Sequence, residues 1–486
     1  MKGLEKKQNE RQNKSNMKNK TILLLIIFLG SSFIKGQVIA EFGKDKITLK
    51  EFKLAYIDIL KKPNVYDSKK LREEFLDELI ASRLLAKDAI KKGIDKNELF
   101  DLKINAYKDK AMREAHYNKV IKPKINITED EIEEAYQFTQ EQRKVSHLFA
   151  ETKEKADSLY ELIQNGKSFE ELAPTVFADS ALASSGGDLG WIMWDQLDNQ
   201  LADSVFRMQV NRISTPLKSF FGYHIVKVTD YKKNPLITRA EFEAHRRKAR
   251  YLLEYEKGEA LSYEYISNMA KGAKVVFNPD VMEYVDNALK GKFKRKPTNM
   301  DKMFEMQLRD EEIKSIETNI WDERDKVMAT INGVPMTIAD FIGLLNYIQY
   351  DVVYSGFKKT FDFAVRDFLL TKEAKKIGLE KDQKVKMKTN LYKEFLYQLE
   401  LRREIVRNAK STESDVKKLY EEKKDNWKGA SYDVMKESLT KFADGEKKRE
   451  SVPNYLKSLL AKIKVKKNLE PVHEYYDAVL KGKIKD

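Results

Sequence analysis

His147 and His224 are the residues whose types and spacing could do chemistry. The chain has five histidines, and these two occupy strand-like contexts at the ends of one segment. The first reads Ser146-His147-Leu148 on an alternating apolar and polar run. The second closes Phe221-Gly222-Tyr223-His224-Ile225-Val226-Lys227-Val228. Between them, Gly186-Gly187-Asp188-Leu189-Gly190-Trp191 has the composition of a turn, because glycine accepts positive φ. Such a segment predicts a small domain whose first and last strands are neighbours, with the two imidazoles side by side. Paired imidazoles can share a proton in a hydrogen-bond network, or simply brace adjacent strands.

Other chemistries find little support. There is no cysteine, so thiolate catalysis and disulfides are excluded. His116, His245 and His473 stand alone on charged stretches, and no His/Asp cluster has metal-ligand spacing. The glycine turn lacks the lysine and helix start of a phosphate-binding loop. No metal and no cofactor are expected.

The elements that must position the histidines follow from composition and periodicity. A chain of 486 residues accommodates roughly three domains. Its charged content of 35% and mean hydropathy of −0.60 describe a surface-rich chain, while 42% hydrophobic residues suffice for a core. Of the net charge of +14, residues 1–36 supply eight Lys and Arg against Glu5 and Glu10. The rest is interspersed with acid, a solvated surface rather than a nucleic-acid stripe. Lys18 and Lys20 precede Ile22-Leu23-Leu24-Leu25-Ile26-Ile27-Phe28-Leu29, with Gly30, Ser31, Ser32 and Gly36 behind. This pattern predicts a cleaved export signal over 1–36, the alternative being an uncleaved membrane anchor.

The remainder repeats itself. Thr48-Leu49-Lys50-Glu51-Phe52 matches Thr337-Ile338-Ala339-Asp340-Phe341, each an N-cap pair opening a helix. Leu85-Ala86-Lys87-Asp88-Ala89 with Gly93 matches Leu370-Thr371-Lys372-Glu373-Ala374 with Gly378. Thr128-Glu129-Asp130-Glu131-Ile132 matches Thr412-Glu413-Ser414-Asp415-Val416. From Gly43 and Gly333, just ahead of the first match, up to there the offset drifts from 290 to 284; then Val281–Lys292 pairs with Val472–Lys483 at an offset of 191. The first copy therefore holds 93 residues that the second lacks, the length of the two-histidine segment. Outside it the chain reads as helix, with one apolar stripe through Leu71, Phe75, Leu76, Leu79, Ile80 and Leu84. Residues 234–290 are expected to return onto 37–142, since the ends of an insert lie close together.

The inserted segment resembles the parvulin family of peptidyl-prolyl isomerases. The Ser-His-Leu strand, the Phe169-Glu170-Glu171-Leu172-Ala173 helix, the Gly-Gly-Asp-Leu-Gly-Trp turn, Ile213-Ser214 with Pro216, and Gly-Tyr-His-Ile carry the resemblance in order. An export signal and flanking helices look like the layout of foldases of the SurA and PrsA types; a second copy without a parvulin domain departs from it. The resemblance implies that His147 and His224 are catalytic. Ser180 takes the position usually held by Cys or Asp, with Asp179 beside it. Leu197 and Leu201 take the substrate-pocket positions usually held by Met and Phe.

The expected architecture is thus mainly α, two tandem chaperone-like modules with one inserted α+β parvulin domain. The boundaries are 1–36 for the signal, 37–142 for the start of module one, 143–233 for the parvulin-like domain, 234–300 for the end of module one and a linker, and 301–486 for module two. The expected function is an exported, periplasmic prolyl isomerase and chaperone. Its partners would be unfolded or partly folded envelope proteins, with no nucleic acid. The alternative is a non-catalytic holdase or assembly factor that uses the parvulin fold to bind peptides.

Overall fold

The computed structural model describes residues 37–62, 65–197, 199–219, 222–234, 238–298, 306–427 and 429–480. The expected export signal lies outside the described residues. Among those described, no helix is long and apolar enough to cross a membrane.

The chain opens with an antiparallel hairpin, β1 (Val38–Phe42) and β2 (Asp45–Thr48), running straight into α1 (Leu49–Leu60). The junction is fixed by a capping box. Thr48 Oγ1 accepts the Glu51 N–H at 3.2 Å, and the Glu51 carboxylate accepts the Thr48 N–H at 2.8 Å. Helices α2 (Lys69–Lys91), α3 (Glu98–His116) and α4 (Glu129–Thr139) follow. The two-histidine domain comes next: β3 (Glu141–Ala150), α5 (Lys153–Gln164), α6 (Phe169–Val176), α7 (Ser180–Ser184), β4 (Asp188–Met193), α8 (Asn199–Arg207), β5 (Leu217–Lys218) and β6 (Tyr223–Lys233). Its antiparallel sheet has the order β4-β3-β6-β5. Val145, Val226 and Val228 belong to a core shared with Ala135 and Tyr136 of α4. Leu148 and Ile225 belong to another, with Ile163 of α5 and Leu172 of α6. The sheet is thus buried on both faces.

Helix α9 (Arg239–Lys271) leaves the domain and leads to β7 (Val275–Phe277) and α10 (Pro279–Leu289). The second copy then repeats the series. It comprises α11 (Asp310–Ile320), β8 (Val327–Ile331), β9 (Val334–Thr337), α12 (Ile338–Leu345), α13 (Tyr350–Tyr354) and α14 (Phe357–Lys376). It continues through α15 (Gln383–Asn408), α16 (Glu413–Glu422), α17 (Tyr432–Leu460), β10 (Val465–Lys467) and α18 (Glu470–Leu480). Thr337 and Asp340 form the same capping box as Thr48 and Glu51. Residues 140–238 lie between α4 and α9, where the second copy has only residues 423–431 between α16 and α17.

The sheets reveal an exchange that the sequence reading does not contain. The first hairpin takes its third strand from the end of the chain: β1 pairs with β10, Ala40 opposite Lys467 and Phe42 opposite Val465. The second takes its third strand from the first copy: β8 pairs with β7, Ala329 opposite Phe277 and Ile331 opposite Val275. The following helices exchange too. Val472 and Tyr476 of α18 complete the core of Ile39, Phe42, Phe52 and Leu76. Val281, Val285 and Leu289 of α10 complete that of Met328, Ile331 and Phe341.

Residues 275–289 therefore do not return onto 37–142 as expected, although α9 does pack on α4 through Ala249 and Leu253. Helix length explains the difference. At 33 residues, α9 runs roughly 50 Å and carries β7 and α10 away from the first hairpin. A hairpin alone is marginal in water and leaves an edge open. Each copy closes the other's edge.

Candidate functional site

His147 lies on β3 and His224 on β6. The register sets His147 opposite Val226 and Phe149 opposite His224, so the histidines are diagonal neighbours on one face of the sheet. Their Nδ1 atoms are 3.2 Å apart, and the rings are nearly parallel, at 15°. The rings of Phe177 and Phe149 flank them, with centroids 5.1 Å from His147 and 5.2 Å from His224 respectively.

The second nitrogen of His224 is engaged as well. Its Nε2 is 2.9 Å from Ser219 Oγ, on a serine only 3% exposed. Ser219 is held by its backbone, whose N–H donates to the Gly222 carbonyl at 2.7 Å. Burial pushes the pKa of both histidines down from 6.5 to about 4, and for His147 the neighbouring imidazole adds to it. Both rings are neutral at pH 7. One Nδ1 must then donate to the other. If His224 donates, its Nε2 accepts the Ser219 hydroxyl and His147 carries its proton on Nε2. If His147 donates, the polarity of the chain reverses. In either case His147 Nε2 is buried without a protein partner among the described residues.

The glycine turn holds the backbone of this site. The His147 N–H donates to the Gly187 carbonyl at 3.0 Å. Gly187 has φ +73°, and a Cβ there would lie 2.0 Å from the His147 carbonyl oxygen. No side chain fits between the turn and the catalytic-candidate strand.

The remaining candidates sit on other elements of the domain. Asp179 is the N-cap of α7, its Oδ1 accepting the N–H groups of Ala181 and Leu182 at 2.9 and 3.0 Å. Ser180 is the first residue of that helix and is exposed. Leu197 is half-buried after the 3₁₀ turn Trp194–Gln196, and Leu201 is buried on α8. The side-chain hydrogen bonds described for the imidazoles run to each other and to Ser219, not to Ser180. Ser219 escaped the sequence reading. The one available signal was a hydroxyl just before Phe220-Phe221-Gly222-Tyr223-His224, in the turn leading to the histidine strand.

Comparison with known proteins identifies the domain that carries the pair. Residues 107–232 match the model of the PPIC-type PPIase domain, which begins ahead of β3. The parvulin-like PPIase of Rickettsia conorii is 30% identical over 242 residues, covering 45% of this chain and 85% of that protein. The foldase protein PrsA of Geobacillus kaustophilus is 29% identical over 158 residues, covering 31% and 56% respectively. Among solved structures, PrsA of Bacillus anthracis shares 22% identity over 40% of this chain and 96% of that one, with a TM-score of 0.22. A mainly helical, duplicated chain carrying an inserted domain of this kind belongs to the parvulin-like peptidyl-prolyl cis-trans isomerase family.

Proposed function

We propose that this chain is an exported foldase that isomerises X–Pro bonds in unfolded or partly folded envelope proteins, through His147 and His224. The observation that carries the reading is the neutral imidazole pair, with Ser219 hydrogen-bonded behind it. Rotation about the amide crosses a barrier of about 18–20 kcal/mol, because resonance is lost at the twisted state. No covalent step is needed; the enzyme has to bind the twisted amide better than either planar form.

In the twisted amide the prolyl nitrogen recovers its lone pair and becomes a hydrogen-bond acceptor. Of the two chain polarities, one supplies a donor. Ser219 O–H donates to His224 Nε2, His224 Nδ1–H to His147 Nδ1, and His147 Nε2–H is left for the substrate, which has to open the site because this nitrogen is buried in the free chain. Because both rings are neutral, this donor needs no charge to be buried beside the amide. Half-buried Leu197 offers apolar surface for the prolyl ring, and buried Leu201 backs it. The helical body supplies reversible contacts to the rest of the client.

The test is proline-limited refolding of a model substrate by the full chain. Acceleration should fall at least about tenfold in His147→Ala and His224→Ala, the loss of one charge-free donor network in a buried site. Equal rates for wild type and both variants would overturn the catalytic reading. Aggregation suppression that survives in the same variants would assign holding of clients to the helical body.

A further inference from the structure

The two copies differ at one interlocked position, and the difference opens a cavity. In the first copy Arg83 of α2 is clamped by carboxylates from both copies. Its Nη2 donates to Glu51 Oε1 of α1 at 3.0 Å, and its Nε to Glu394 Oε1 of α15 at 2.9 Å. The repeat assigns each partner an equivalent. Leu84-Leu85-Ala86-Lys87 aligns with Leu369-Leu370-Thr371-Lys372, so Arg83 corresponds to Phe368. The capping boxes equate Glu51 with Asp340. Asn105-Ala106-Tyr107-Lys108-Asp109 aligns with Asn390-Leu391-Tyr392-Lys393-Glu394, so Glu394 corresponds to Asp109.

Both carboxylates of the clamp are therefore kept at the equivalent site, Asp340 from the second copy and Asp109 from the first, while the guanidinium between them is replaced by a phenyl ring. A cavity of about 250 Å³ lies there, lined among others by Asn105, Asp109, Asp340, Phe368, Lys372 and Lys375. Glu51 uses Oε2 to cap its helix and Oε1 to hold Arg83. Asp340 likewise uses Oδ2 to accept from Thr337, which leaves Oδ1 for a ligand. The lysines do not fill the role of Arg83. Lys375 Nζ is 3.4 Å from Asp109 Oδ1 on a side chain 40% exposed, a weak and displaceable pair. Lys372 Nζ rests 4.7 Å from the Phe368 ring centre. Its equivalent, Lys87, pairs with Asp45, whose place is taken here by Val334.

We propose that this cavity binds the guanidinium of an arginine side chain presented by a polypeptide. The planar cation displaces Lys372 from the face of Phe368 and Lys375 from Asp109, and is held by Asp109 and Asp340, as Arg83 is held in the sister site. The polypeptide source rests on the client-binding reading above; the arginine chemistry does not.

The test uses the full chain and three probes, N-acetyl-arginine amide, N-acetyl-lysine amide and N-acetyl-glutamate amide, titrated by calorimetry or NMR. Saturable binding of the arginine probe in preference to the lysine probe is expected. Asp109→Asn and Asp340→Asn should each weaken it about tenfold, the loss of one charge-assisted hydrogen bond. Phe368→Arg rebuilds the sister clamp and should abolish binding; if that variant does not fold, the two Asn variants decide. Preference for the glutamate probe, indifference to the Asn substitutions, or no saturable arginine binding at the probe's solubility limit would each overturn the proposal. Isomerisation of a short arginine-free prolyl peptide, which cannot use the cavity, should be accelerated equally by wild type and the Asn variants, so a failure of the isomerase reading is separately visible.

Discussion

Tyr107 of α3 and Tyr392 of α15 stack face to face, ring centres 4.1 Å apart and planes 5° from parallel. They are equivalent residues of the two copies, so a pseudo-twofold axis passes between their rings. Around them Leu85 and Ala89 of α2 pack with Leu396 and Leu401 of α15, and Met112 of α3 with Ala374 and Val385. The chain is built like a strand-exchanged dimer whose two subunits are covalently joined. Tyr107→Leu and Tyr392→Leu should each destabilise the fold, and the double-mutant cycle should give a coupling of about 0.5–1.5 kcal/mol. Urea denaturation of the four proteins measures it. Strict additivity would mean that the stacked pair contributes nothing beyond its area.

The histidine pair sets an acid limb of stability. Both side chains have folded pKa values lowered to about 4 by burial, against an ordinary 6.5. Between those values the unfolded chain binds protons that the folded chain refuses. Stability therefore falls as pH drops from about 6.5 towards 4, by up to about 1.4 kcal/mol per pH unit for each histidine. Glu256 acts with the opposite sign. Burial, reinforced by Asp203, raises its pKa to about 7, so its stabilising contribution is lost as pH rises from about 4.5 through 7. Urea unfolding from pH 4 to 8 should show both limbs. His147→Gln with His224→Gln should flatten the acid one, and Glu256→Gln the neutral one. Isomerase activity should hold to about pH 5, while the imidazoles stay neutral.

Ser219 and Ser180 make opposite predictions. Ser219 Oγ meets His224 Nε2, whereas Ser180 is exposed on the first turn of α7. Ser219→Ala should lower kcat/KM about tenfold by freeing one tautomer of His224, and Ser219→Thr should restore most of it. The pH profile of the alanine variant should shift, which a merely structural loss would not produce. Ser180→Ala should stay within about twofold of wild type. A larger loss in the Ser180 variant would transfer the polar role to α7.

These contrasts separate what the sequence could disclose from what it could not. Thr48-x-x-Glu51 and Thr337-x-x-Asp340 state their helix starts locally, because both halves of a capping box lie within four residues. The Leu76, Ile80 and Leu84 stripe states its buried face in the same way. His147 and His224 were legible because imidazoles on strands are scarce. Ser219 was not, since a serine in a turn is ordinary and its significance is its distance to His224. The exchange of β7 and β10 was also hidden. Val275-Val276-Phe277 and Val465-Lys466-Lys467 are three-residue strands, mostly exposed. Nothing in so short a run specifies which hairpin it joins; the lengths of α9 and α17 decide it.

Gly187 should be the least replaceable glycine of the turn. A Cβ would lie 2.0 Å from the His147 carbonyl oxygen, at a φ of +73°. Gly190 shares the left-handed conformation, at +70°, with nothing within 4 Å of its missing Cβ. Gly190→Ala should cost about 1–2 kcal/mol from backbone strain alone. Gly187→Ala adds overpacking against a backbone atom, for a total on the order of 3–5 kcal/mol, and should displace His147. Chemical denaturation gives the costs, and His147 ring resonances report the displacement. Equal costs for the two would mean that β3 yields to the turn.

Removing residues 461–486 tests the exchange itself. The cut takes away β10 and α18, which complete the first hairpin, and leaves β7 and α10 on the second. It also removes Asp477, whose carboxylate accepts from Arg72 Nη1 at 2.8 Å, while Asp67 holds the other side of that buried guanidinium. The edge of β1 and the apolar faces of Ile39, Phe42 and Phe52 would then be uncovered. Hydrogen exchange should lose its protection across β1, β2 and α1, more than 400 residues from the cut, and keep it across β8 and β9, the nearer hairpin in sequence. If the copies were independent modules, the order would be the reverse, with damage confined to the second. The truncated chain should also associate through β1, because an open edge beside exposed apolar surface is a template for pairing.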